Sequence, residues 1–101
     1  MSKYHFQREC RSPSSEVFIM LDEDDRRVGQ VDLHYTHSVV QATLVVTERE
    51  TTDEIQNIIE VIDQELIMAA GIARDDFIVT VYQGREAGVY SDEEAEMENR
   101  N

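Results

Sequence analysis

Val39-Val40-Gln41-Ala42-Thr43-Leu44-Val45-Val46-Thr47 leads, after a short polar step, into Thr51-Thr52-Asp53-Glu54. The first stretch is rich in β-branched residues and predicts a strand. The second is a capping box: the Thr51 hydroxyl is placed to accept an amide hydrogen, and Glu54 is placed to reach back. Ile55, Ile58, Ile59, Ile62, Leu66 and Ala69 then recur at helical spacing, and Gly71 supplies the stop. A strand that passes into a capped helix sets an α+β core.

Upstream, Glu16-Val17-Phe18-Ile19-Met20-Leu21 predicts a strand and Asp22-Glu23-Asp24-Asp25 a solvated turn. Val28 to Tyr35 is the second strand, with Val31, Leu33 and Tyr35 on one face and Gln30, Asp32 and His34 on the other. Thr36-His37-Ser38 is short enough to make a hairpin with the Val39–Thr47 strand. Downstream, Phe77 to Tyr82 forms the fourth strand, ended by Gln83-Gly84.

Three regions follow from this pattern. Residues 1–15 read as a polar arm, with Ser12-Pro13-Ser14-Ser15 breaking regular structure, and residues 16–90 as a single α+β domain. Residues 91–101 read as an acidic, disordered tail with some helical character near Glu93–Met97. The expected architecture is a two-layer sandwich of β-β-β-α-β order. A mostly antiparallel four-stranded sheet, in spatial order 3-2-1-4, carries one helix on one face.

Charge narrows the partners. Twenty-two acids against nine bases give a net charge of −13 over 101 residues. In the arm, Lys3, Arg8 and Arg11 against Glu9 give +2; the tail carries −4, which leaves −11 on residues 16–90. Direct contact with nucleic-acid phosphates is disfavoured, because like charges would meet without counterion release. A basic protein partner is compatible, as is the plain surface of a salt-adapted proteome, since Lys3 is the only lysine. Cys10 is the only cysteine, so no internal disulfide forms. The opening residues lack a signal-like apolar run, no stretch reaches membrane length, and the cytoplasm is the expected compartment.

Chemistry-bearing motifs are sparse. His34 and His37 are the nearest approach to a metal pair, with His5, Cys10 or Glu48 as further donors, yet an odd spacing on a strand sends the two rings to opposite faces. Asp22–Asp25 lacks the glycine of a calcium loop and has Arg26 at its fifth position, so calcium is rejected. Asp32 and Glu48 are the best-placed carboxylates for acid–base chemistry, and Asp32 can pair with His34 on one strand face, but no nucleophile stands beside them. Gly29, Gly71, Gly84 and Gly88 make no phosphate-cradling spacing, and no cofactor is expected.

The remaining signal is the sheet face opposite the helix. With Val17, Ile19 and Leu21 turned to the helix, Phe18 and Met20 point away from it, joined by Ile78 and Tyr82. These four form an expected partner-binding patch, flanked by Gln30, Asp32, Gln41 and Thr43, which the arm's Tyr4 and Phe6 could otherwise cover. The expected function is a non-catalytic interaction module that self-associates or binds a protein through this face. Two rivals stand behind it. One is an acidic mimic of nucleic acid, built on Asp22–Asp25 and the acids between Asp53 and Glu65. The other is a small enzyme or metal protein using His34, His37 and Asp32.

Overall fold

Three tight hairpins and one helical crossover thread the chain through a single five-stranded sheet. The computed structural model describes residues 3–71 and 74–92. Strands β1 (His5–Ser12), β2 (Ser15–Leu21), β3 (Arg27–Tyr35) and β4 (Val39–Val46) form an antiparallel meander. Helix α1 (Thr52–Ile62) continues into a π-helical turn (Asp63–Met68), and β5 (Asp76–Gln83) then pairs parallel to β4. The strands lie in sequence order from β1 to β5, a small α+β fold with its helix on one face. No helix among the described residues is long and apolar enough to cross a membrane.

The expected four-strand order is corrected by the N-terminal segment. Ser12 and Ser15 pair across a two-residue connection, with their hydroxyls 2.7 Å apart, so Ser12-Pro13-Ser14-Ser15 is a hairpin turn and not a break. The supposed arm is therefore strand β1, and it occupies the edge beside β2. The only edge left for β5 lies next to β4, where Val39 to Val46 meet Asp76 to Gln83 without a register shift. The segment expected to be helical at Glu93–Met97 lies outside the described residues.

Local signals explain the element ends. The Thr51 hydroxyl accepts the Glu54 amide at 3.1 Å, and the Glu54 carboxylate accepts the Thr51 amide at 3.1 Å. The Thr51 backbone bond in particular holds the Glu54 carboxyl below its ordinary range. In the β2–β3 turn, Asp22 accepts the amides of Asp24 and Arg26, while Asp25 takes a left-handed conformation at φ +61°. The Arg26 amide is the main reason that the Asp22 carboxyl sits below its usual value. Gly29 is dictated by close approach: a Cβ there would lie 2.5 Å from the Val45 carbonyl oxygen.

The core lies between helix and sheet. Met20, Val31, Leu33 and Leu44 are completely buried beneath Ile58, Ile62 and Ile67. The helical stripe departs from the expected one at its end, because Ile67 is buried while Leu66 is half-buried and Ala69 exposed. The π-helical hydrogen bonding accounts for this. The Ala69 amide reaches back five residues to the Gln64 carbonyl, so the residue stacked over Ile62 is Ile67 and no longer Leu66. Leu66, Ala69 and Ala70 are turned sideways toward β1 and β2, where they line a groove.

The facing of β2 also differs from expectation. Phe18 and Met20 point to the helix and lie in the core, so neither belongs to the open face. Val17, Ile19 and Leu21 point the other way and are half-buried. Register decides it: Phe18 pairs with Val31 and Glu16 with Leu33, and those partners carry the inward stripe of β3. Glu16 is consequently carried inward as well. Tyr4 and Phe6 extend this same core and do not cover the opposite face: Tyr4 is buried, and Phe6 packs against the core and pairs with Met20.

Candidate functional site

Two surfaces carry the distinctive chemistry, one on each side of the sheet. On the open face, Ile78, Thr80 and Tyr82 of β5 stand beside Gln41, Thr43 and Val45 of β4. Ile78 is 46% exposed and Tyr82 59%, and Val45 is exposed between them and the rest of the sheet. The expected four-residue patch is thus halved, with Ile78 and Tyr82 outside and Phe18 and Met20 inside. On the helix side of β5, Phe77, Val79 and Val81 are only half-buried, so this edge is apolar on both faces.

The second surface is a groove of about 600 Å³ between the β1–β2 hairpin and the π-helical turn. Its centre is Glu16, 7% exposed and the one buried charged residue among the described residues. One carboxylate oxygen accepts the Tyr35 hydroxyl. The other takes the Arg8 Nε at 2.9 Å, while the Arg11 Nε stands 3.9 Å from it. The Arg8 guanidinium also lies over the Phe18 ring, 5.8 Å from its centroid. Desolvation, followed by the bond to Glu16, pushes the Tyr35 hydroxyl well above the ordinary tyrosine range.

Arg8 and Arg11 are three residues apart, a spacing that sends side chains to opposite faces of a regular strand. A bulge in β1 repairs the parity. Arg8 pairs with Phe18, Cys10 with Val17 and Arg11 with Glu16, so Glu9 is the extra residue and both arginines face the helix side. The sequence pattern puts these arginines in a polar arm, and the facing expected for β2 turns Phe18, and with it Glu16, away from the helix. The available signal was the alternation of Tyr4, Phe6 and Arg8, which is a strand pattern interrupted at Glu9.

The other candidate residues are dispersed. His34 is exposed on the open face, paired across the sheet with Gln41 and Ser15, and His37 lies in the β3–β4 turn. Asp32 accepts the Gln30 side-chain amide at 3.0 Å and does not meet His34 in a hydrogen bond among those described. Cys10 is exposed on β1. Among the described residues, no three His, Cys, Asp or Glu side chains converge as a metal site. The turn acids Asp22, Glu23 and Asp24 share a hollow with Glu50 and Glu54, but Lys3 and Arg49 interrupt them and Lys3 pairs with Glu54 at 3.4 Å.

Compared with protein-family models, with curated proteins and with solved structures, the chain gives no match.

Proposed function

We propose that this chain is a non-catalytic association module that pairs with a second copy of itself through the β5 edge and the adjoining Ile78–Tyr82 strip. The observation that carries this reading is the unguarded edge of β5. Its register against β4 is continuous, no bulge twists it away, and between Phe77 and Gln83 it holds no acid, base or proline.

The strand is also complementary to itself. The Gly84 amide donates to the Val46 carbonyl at 3.0 Å, so by alternation the main-chain groups of Tyr82, Thr80 and Ile78 face β4 and those of Val81 and Val79 face outward. A two-fold axis normal to the sheet at Thr80 sets Val79 against the second copy's Val81. It also sets Ile78 against the second copy's Tyr82, an aromatic–β-branched pair on the open face. Asp76 then meets the second copy's Gly84, so no like charges oppose each other despite the net charge of −13. A second copy therefore fits this edge in register and charge, whereas a basic partner would find only Asp76, at one end of it.

Light scattering after size exclusion, at rising protein concentration, tests this. The wild type is expected at twice the mass of one chain. Thr80→Lys, which places two ammonium groups opposite each other at the axis, is expected at the mass of one chain with an unchanged circular dichroism spectrum. A wild type that stays monomeric at the highest attainable concentration overturns the reading.

A further inference from the structure

We propose that the groove between the β1–β2 hairpin and the π-helical turn binds a small organic monocarboxylate. Its head group sits on Arg11 and the outer edge of Arg8, and its apolar body lies against Leu66, Ala69 and Ala70. Three independent features converge on that place: the β1 bulge, the buried carboxylate and the π-helical turn.

The bulge brings two guanidinium groups to one carboxylate. Glu16 is already satisfied, one oxygen by Arg8 and the other by Tyr35. Arg11 is left beyond hydrogen-bond distance of it, with its side chain 66% exposed at the mouth of the groove. Arg8 spends its Nε on Glu16 and lines the same groove. In a chain this acidic, two cations held around one anion concentrate positive charge on the hairpin side of the groove. The fork of an arginine matches a planar carboxylate bidentately. Glu16 is then a positioning residue, fixing Arg8 and drawing Arg11 inward.

The opposite wall supplies the apolar half. A continuous α-helix would place Leu66 over the core below Ile62; the π-helical step gives that place to Ile67 and delivers Leu66, Ala69 and Ala70 to the groove. Glu65 also lines this wall, so the four charged lining residues, Arg8, Arg11, Glu16 and Glu65, balance to zero. That balance favours a singly charged ligand over phosphate, whose second charge would face Glu65 and Glu16. A head group on arginine and a short apolar body on alanine and leucine define an aliphatic or aromatic monocarboxylic acid.

Amide NMR titration of the full chain with benzoate and hexanoate tests the assignment, using benzamide and inorganic phosphate as comparators. The expected result is saturable shifts at the amides of Leu66, Ala69 and Ala70, with β5 amides unmoved. Benzamide should bind at least about tenfold more weakly, as should benzoate to Arg11→Gln, while Arg11→Lys retains part of the affinity. An unchanged thermal midpoint shows that Arg11→Gln still folds. Equal binding of benzamide and benzoate, equal shifts with phosphate, or no saturation with either carboxylate overturns the proposal. The titration is independent of self-association, because Thr80→Lys leaves the groove intact and should bind benzoate as the wild type does.

Discussion

The two edges of the sheet, β1 and β5, meet the same physical problem with opposite solutions. Among the described residues, both carry a row of unpaired main-chain groups that could template another strand. Strand β1 carries Arg8, Glu9 and Arg11 along its length and breaks its register with a bulge. Strand β5 keeps a continuous register and offers Phe77, Val79 and Val81 on one face and Ile78, Thr80 and Tyr82 on the other. The lesson is that one edge has been made unsuitable for pairing, and the residues that guard it also build the groove. The other edge has no such protection, which is why it is assigned an occupant.

The strongest way to break the comparison is to slip the register of β1 by one residue. Deleting Gln7 leaves Arg8 opposite Phe18 and turns Tyr4 and Phe6 to the other face. Loss of the Tyr4 and Phe6 contributions should cost about 2–4 kcal/mol in urea unfolding, and unchanged stability would show that the inward facing of these two rings is dispensable. Next is Arg8→Ala, which leaves the buried Glu16 carboxylate with the Tyr35 hydroxyl on one oxygen and only the distant Arg11 on the other. It should cost about 1–3 kcal/mol, and adding Glu16→Gln should recover part of that loss if the buried, unpaired charge is the cause.

Tyr35→Phe is smaller, about 1 kcal/mol at neutral pH, for one lost hydrogen bond. It also carries a pH signature. The folded state holds the Tyr35 proton above the ordinary value of 10.0, so the stabilisation is complete below pH 10.0 and fades as pH rises toward the folded value. The wild type should therefore lose more stability than Tyr35→Phe on going from neutral pH to beyond pH 10.0, as followed by denaturant unfolding at each pH. The smallest effect on folding should come from Thr80→Lys at the opposite edge. Monomer stability should shift by less than about 0.5 kcal/mol, even though association is lost. A large destabilisation there would mean that β5 has no spare face.

Much of the fold was legible because the deciding patterns are local. Alternation marked the strand at Val28–Tyr35, β-branched runs marked those near Val39 and Phe77, and Thr51 with Glu54 marked the helix start. What was hidden depends on partners remote in sequence. The facing of β2 turns on its pairing with β3, since Val17-Phe18-Ile19-Met20-Leu21 is apolar at every position and carries no alternation of its own. Strand β1 was hidden by its charges, which mimic a solvated arm. The groove was hidden twice over, because Arg8 and Arg11 share a face only through the bulge and Leu66 leaves the core only through the π-helical hydrogen bonds. Of the open-face residues, Ile78 and Tyr82 followed from alternation within β5 alone.

The parallel placement of β5 carries a kinetic consequence. The meander closes through hairpins whose partners, such as Leu21 and Arg27, are near neighbours in the chain. Val39 and Asp76, by contrast, can meet only after the whole helical crossover has been spanned. Loop-closure entropy therefore delays β5 relative to the hairpins. Until it docks, β4 itself is a bare margin, with Val40, Ala42 and Leu44 along it. Each newly made chain thus passes through an interval in which a β5 from another molecule can insert there, and exchanged dimers become more frequent as refolding is carried out at higher concentration.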